Sequence, residues 1–290
     1  MFHKSHARHH LGGESGWTPM ILSLAAGLAV GLSGCGSEPA TTTQVALADS
    51  AKADTPQAAG VTLDPSILDD SSRSDDDRKR DDGFKPLEVY GFFGVEPGMT
   101  VADLWPGHGY NTQILSGAVG SNGKVLAVLG PLYNRGRYAD RVKGFVKERM
   151  EQGHLDNVEI VETLEEIPAN SVDVMITVRN YHDLGEAKDR VAVLPGLLRA
   201  LKPGGILGVV DAFTPKEGRD EEHHRINEEL VVSEITGAGF ELVGRSPVLE
   251  NRKDTYDFDG REDDAPIHRY FIHRFVHKYR KPAGQTAQNR

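Results

Sequence analysis

The chain predicts an α/β fold: a Rossmann-like, doubly wound sheet of seven strands, mostly parallel, with an antiparallel strand at its C-terminal edge. Three observations predict it. Short apolar runs alternate with helical stretches from residue 101 to residue 246, and such alternation builds a parallel sheet with helices on both faces. The run V-D-V-M-I-T-V at 172–178 is nearly all apolar, as a strand covered on both faces must be. The last two runs, 241–246 and 268–277, follow one another across an acidic loop with no helix between them, which predicts an antiparallel pair.

Each element has its own signal. Residues 69–82 are densely charged and read as a solvated helix or loop. Residues 84–95 carry Leu87, Val89, Tyr90, Phe92 and Phe93, and read as a helix packed on the sheet near the ligand mouth. Residues 101–104 form a short buried strand with an acid, Asp103, near its end. A tight turn follows, then a helix over 111–119 with Ile114, Leu115, Ala118 and Val119 on one face. Ser121-Asn122-Gly123 turns the chain into a second strand, 124–129. A loop over 130–136 leads to a charged amphipathic helix, 138–152, and a third strand, 158–161. After the fourth strand, the helix over 186–201 ends at Lys202-Pro203-Gly204-Gly205 and a fifth strand occupies 206–211. A helix over 221–238, capped by Gly239, precedes the sixth strand.

The amino end reads differently. Lys4, Arg8 and several histidines make a basic leader, residues 20–32 are an uncharged apolar run, and Leu32-Ser33-Gly34-Cys35 follows at once. The run is short for a membrane span and suits a signal peptide. The tetrapeptide resembles a bacterial lipobox, with Cys35, the only cysteine, as the lipidated residue. His3, His6, His9 and His10 belong to the discarded leader on this reading. The organisation is then a signal peptide over 1–35, a flexible tether over 36–68, a domain over 69–282 and a disordered tail over 283–290. The protein is expected on the periplasmic side of a bacterial membrane, held by its lipid anchor. A net charge of −10 argues against a nucleic-acid partner. The sequence leaves the oligomeric state open.

The organising stretch is V-A-D-L-W-P-G-H-G-Y at 101–110. Strand, glycine turn and helix is the first unit of an open α/β sheet, whose ligands sit at the carboxyl ends of the strands. A phosphate-cradling loop would need Gly-Lys-Ser/Thr at its end, which is absent. A dinucleotide fingerprint would want a third glycine or alanine at Thr112 and an acid where Leu129 and Gly130 stand. The loop that cradles S-adenosylmethionine (SAM), an acid followed by spaced glycines, fits Asp103, Gly107 and Gly109, with Trp105 in place of the usual first glycine. A plain strand–helix turn is the bland alternative.

Taken together, V-A-D-L-W-P-G-H-G-Y, K-V-L-A-V-L, S-V-D-V-M-I-T-V, L-K-P-G-G and A-G-F-E-L-V resemble the class I SAM-dependent methyltransferases over residues 86–282. N-Y-H-D, H-R-I-N and Y-R-K-P look like a subgroup of bacterial exported or lipoprotein methyltransferases. The resemblance implies SAM as cofactor. It implies that Asp103, Gly107 and Gly109 line the methionine end, Leu129 and Gly130 stand near the ribose, Thr163 and Leu164 flank adenine, and Asn180 lies beside the sulfonium. The chain departs from the family where Leu129 replaces the acid that holds the ribose hydroxyls, and where Trp105-Pro106 stiffens the loop.

Candidate chemistry sits at the end of the fourth strand. Tyr181 offers a hydroxyl and a stacking face, His182 takes a proton near neutral pH, and Asp183 orients it or acts as base. The alternative is that His182 and Asp183 cap the next helix. Asp211, His224 and Arg225 are candidate substrate-binding residues, Arg225 for a carboxylate or phosphate. No Cys/His cluster has zinc spacing, so no metal site is expected. The leading expectation is a methyltransferase for a small-molecule substrate. A non-catalytic binding lipoprotein on the same fold is the alternative, because SAM is made in the cytoplasm and a charged cofactor does not cross a bilayer unaided.

Overall fold

The computed structural model describes residues 60–130, 136–262 and 265–284. The leader with Cys35, most of the tether and all but the first residues of the tail lie outside the described residues. The folded part starts earlier than residue 69. Val61 donates its N–H to Gly91 O, Leu63 is buried, and Pro65–Asp69 forms a 3-10 turn capped by Asp64.

Two helices come first, α1 (Asp75–Phe84) and α2 (Pro86–Phe93). Then follow β1 (Thr100–Leu104), α3 (Tyr110–Val119), β2 (Lys124–Val128), α4 (Gly136–Gly153), β3 (Val158–Val161), β4 (Val172–Val178), α5 (Ala187–Ala200) and β5 (Leu201–Ala212). A short hairpin of β6 (Arg219–Asp220) and β7 (Arg225–Ile226) precedes α6 (Glu228–Gly237), β8 (Glu241–Ser246) and β9 (Arg274–Arg280).

The main sheet has seven strands in the order β3-β2-β1-β4-β5-β9-β8. The first five are mutually parallel, and β9 runs antiparallel to both β5 and β8. The seven strands, the parallel majority and the antiparallel C-terminal strand agree with the sequence. That strand is inserted beside β5, which leaves β8 on the outside. Strand order reverses between β1 and β4, and at such a switch point a crevice opens at the carboxyl ends.

Side chains alternate across the sheet with the period of two that strands impose. Ala102, Leu104, Val128, Met175, Leu207 and Val209 face α5 and α6. Val101, Val125, Ala127, Val174, Ile176 and Val210 face α2 and α3. Both faces are apolar, which is why the strands read as continuous hydrophobic runs.

Four elements differ from the sequence reading; one is β5, which starts at Leu201 rather than at 206 and takes in the Lys202–Gly205 stretch. The expected helix over 221–238 starts only at Glu228, capped by Asn227. Burial explains the delay: Arg225 and Ile226 are drawn fully inside, and Asp220 accepts the His223 N–H to close the hairpin turn. The seventh strand is 274–280 rather than 268–277, because His268, Tyr270 and their neighbours make a turn of ring and arginine contacts ahead of it. The charged stretch before α2 is not simply solvated. Arg73 is buried against Asp81, and Asp77 against Arg149.

Helix α2 lies close on β5 because Gly208 has no side chain. A Cβ there would sit 2.5 Å from the Phe93 ring, and Phe93 is fully buried. Gly208→Ala is expected to lower stability by about 1–3 kcal/mol through overpacking. Urea denaturation measures this. The double variant Gly208→Ala/Phe93→Leu should lose less than the two single losses together.

Candidate active site

The turn after β1 holds a tryptophan in a glycine conformation. Trp105 has φ +60, in the left-handed region that costs a side-chain-bearing residue about 1–2 kcal/mol. Burial outweighs that cost. The indole is buried in the core with Leu129, Tyr181 and Leu184. Its Nε1 lies 2.8 Å from where a Cβ on Gly130 would stand, so the glycine at the end of β2 makes room for the indole. Gly107 (φ +57) and Gly109 (φ +75) complete the turn, and Gly109 is the N-cap of α3.

The turn is braced from outside. Arg149 of α4 donates to His108 O at 2.7 Å, to Asp77 at 2.8 Å and to Gln113 at 2.7 Å, while the His108 ring stacks on Phe145. A Cβ on Gly109 would come within 2.9 Å of Arg149. The acidic α1, read from sequence as a solvated segment, is thus part of the frame of the ligand turn.

Asp103 sits beneath it, 1% exposed. Oδ2 accepts the Thr112 hydroxyl at 2.6 Å, and Oδ1 is buried with no hydrogen-bond partner. Burial pushes the carboxyl pKa up to about 7, against the opposing pull of the Thr112 bonds. A buried carboxylate oxygen without a donor suits a ligand ammonium or hydroxyl, so this end of the site fits SAM. The ribose end does not match in the same way. Leu129 is packed in the core and Gly130 faces the indole, so neither supplies a carboxylate.

The second half of the site comes from the ends of β4 and β5. Asn180 Nδ2 donates to Trp105 O at 3.1 Å and to Val178 O at 2.9 Å, which ties this loop to the glycine turn. A 3-10 turn over Tyr181–Leu184 follows. The buried His182 donates its N–H to Asp211 Oδ2 at 2.9 Å, and its Nδ1 lies 2.6 Å from Asp211 Oδ1. Asp211 is fully buried and also accepts the Ala212 N–H. The other ring nitrogen of His182 lies 3.4 Å from Asp183 Oδ1. His224 approaches the same oxygen at 3.3 Å, from the turn between β6 and β7.

The fold therefore gathers Asp103, Gly107, Gly109 and Asn180 around one turn, and His182, Asp183, His224 and Asp211 around another. It turns several candidates elsewhere. Tyr181 is buried, and its hydroxyl donates to Glu234 of α6, which also pairs with Arg190 of α5, so it ties its 3-10 turn to α6. Asp211 is not a substrate-contacting group, because its oxygens are taken by His182 and Ala212. Arg225 is fully buried in a bidentate pair with Asp254, and its charge is already matched. Leu164 packs in the core, and Thr163 caps the 3-10 turn Leu164–Glu166 through a box with Glu166. Sequence reasoning passed over Thr112 and Arg149. Their signals, a threonine and an arginine on helices, are too common to stand out. It also passed over Arg274, which lies 4.4 Å over the Phe84 ring; burial, then nearby Arg179, lower its pKa to about 9.

No protein-family model and no curated protein matches this chain. Solved structures do. A SAM-dependent methyltransferase from Aquifex aeolicus is 24% identical, covers 75% of this chain and 98% of its own, and superposes with a TM-score of 0.53. The [4+2]-cyclase SpnF is 17% identical, covers 72% of this chain and 81% of its own, and gives a TM-score of 0.50. The fold is the Rossmann-like seven-stranded sheet that these structures have. At such identities the likeness shows the fold alone, and the chemistry has to come from the residues.

Trp105 gives a direct test of the turn. Removing the buried indole should cost about 3–5 kcal/mol. Alanine keeps the left-handed penalty that glycine lacks, so Trp105→Gly should be the milder variant by up to about 1 kcal/mol. Urea midpoints of the two proteins decide this, and a more stable alanine variant would refute the strained-turn account.

Proposed function

We propose that this protein is a SAM-dependent methyltransferase for a small-molecule acceptor, held at the membrane by a lipid on Cys35 and acting on the periplasmic side. One observation carries the reading: the unpartnered Asp103 oxygen at the glycine turn and the Asp211-held His182 stand at neighbouring strand ends, joined through Asn180 and the Trp105 carbonyl. Bound SAM supplies an electrophilic methyl group. Asp103 would receive its ammonium, and the Gly107–Gly109 turn with the first N–H groups of α3 would hold its carboxylate. Asn180 keeps the two loops in register. His182, with Nδ1 fixed by Asp211, accepts the acceptor's proton at Nε2, with Asp183 beside it. Because Asp103 is 1% exposed, binding includes an opening of this turn.

Calorimetry with SAM, S-adenosylhomocysteine and NAD on the leader-free protein is the test. Asp103 is protonated below about pH 7 and becomes charged beside an ammonium, so SAM binding should release protons at pH 5–6 and tighten as pH rises towards 7. Heats in buffers of different ionisation enthalpy measure that release. Gly109→Val puts a branched side chain at φ +75 and should weaken SAM at least tenfold. His182→Ala should bind SAM but lose turnover, once screening for S-adenosylhomocysteine release has found an acceptor. A wild-type protein that binds no SAM would leave the non-catalytic binding lipoprotein as the better account.

The anchor is tested apart from the chemistry. Metabolic labelling with a fatty acid should mark the wild type and not Cys35→Ser; equal labelling would remove the lipoprotein reading.

A further inference from the structure

We propose that His182, Asp183 and His224 bind a divalent transition-metal ion of the zinc or iron(II) class, with Asp211 as the group that orients His182. The three side chains offer ligand atoms that all lie within 4.8 Å of one another. Asp183 Oδ1 is 3.4 Å from His182 Nε2 and 3.3 Å from His224 Nδ1. Metal bonds of about 2.0–2.1 Å in a tetrahedral arrangement space their ligand atoms roughly 3.3–3.4 Å apart. Two edges of the triangle already have that length.

The orientation of His182 points the same way. Asp211 Oδ1, 2.6 Å from His182 Nδ1, takes the hydrogen bond from that nitrogen. The far ring nitrogen, Nε2, is thereby turned towards the Asp183 carboxylate.

A buried carboxylate that holds the far nitrogen of a ligating histidine is the usual support of a protein-bound metal, because it sets the tautomer and raises ligand basicity. Asp211 is fully buried, and among the described residues the one side chain hydrogen-bonded to it is His182. Two imidazoles and one carboxylate suit zinc or non-haem iron(II) better than magnesium, which prefers oxygen ligands. The nearby Arg179 guanidinium interacts with Asp183 and Asp211 and offsets part of their negative charge. Asp183 and His224 side chains are 43% and 23% exposed, so one side of the ion stays open to water or an acceptor oxygen.

The ion's chemical role rests on the methyl-transfer reading. An acceptor hydroxyl in the open position would lose its proton to solvent more easily, and proton acceptance would then pass from His182 to the bulk. Its binding does not rest on that reading, and the experiment omits SAM.

The full chain, extracted in detergent and stripped with a chelator, is dialysed against Zn2+, Co2+ or Mg2+ and assayed by elemental analysis. The Co2+ protein is also examined by absorption spectroscopy. All other histidines are the same in every variant, so differences between variants report this site. Wild type should hold about one more equivalent of Zn2+ or Co2+ than His182→Ala and His224→Ala, and both variants should lose the cobalt bands. Asp211→Asn should weaken binding about 10–100-fold. His224 is partly exposed, so its alanine variant keeps the test valid if His182→Ala fails to fold. Equal metal content and equal cobalt spectra in wild type and His224→Ala would overturn the site and leave a protonated His182 between two carboxylates. Binding of Mg2+ alone would overturn the metal class.

Discussion

The buried Asp211–His182 pair is the interaction on which the candidate site depends. Parallel pairing of β4 with β5, Val178 opposite Val210, sets the end of one strand beside the end of the other. Asp211 then reaches across and accepts both the backbone and the ring N–H of His182. A fully buried carboxylate is tolerable only when such donors meet it, and leaving it unmet costs several kcal/mol. The loop after β4 is therefore held in one conformation, with the far nitrogen of His182 turned to Asp183. Asn180, two residues earlier, fastens the same loop to the glycine turn. Two strand ends from different parts of the chain become one rigid rim.

The other side of the rim is held by charges that the composition alone makes look dispensable. Ser74 and Asp77 form a capping box at the start of α1, and Asp77 then binds Arg149 from α4. Arg73 and the Tyr110 hydroxyl meet at Asp81. These pairs are shielded from solvent, where attraction between charges is less screened than on the surface. They press the amino-terminal helices against the turn that precedes α3. The acidic segment of α1 belongs to the architecture of the ligand mouth.

Trp105 shows how one substitution reorganises a site. The backbone keeps the left-handed conformation that a glycine would take freely, and the buried indole offsets the strain. Its ring settles against Gly130, on the side where a ribose-binding acid would stand. Leu129 packs in the same apolar cluster as the indole. Below the same turn, Asp103 keeps a buried oxygen that lacks a donor.

Much of this was legible in the sequence. Apolar runs with both faces buried, glycines at tight turns and amphipathic helices are local patterns, and they were enough to predict the sheet, its seven strands and the positions of Asp103, Gly107, Gly109, Asn180, His182 and Asp183. Tertiary structure decided where polar side chains point. Tyr181 and Arg225 looked available and are engaged with Glu234 and Asp254; Asp211 looked like a substrate contact and instead orients a histidine. His224 follows Asp183 by some forty residues, a spacing that carries no metal signature, yet the β6–β7 hairpin sets them 3.3 Å apart. The physical reason is range. Hydrophobic periodicity is a property of neighbouring residues, whereas the partner of a buried charge is chosen by whichever opposite group the folded backbone brings within hydrogen-bond reach.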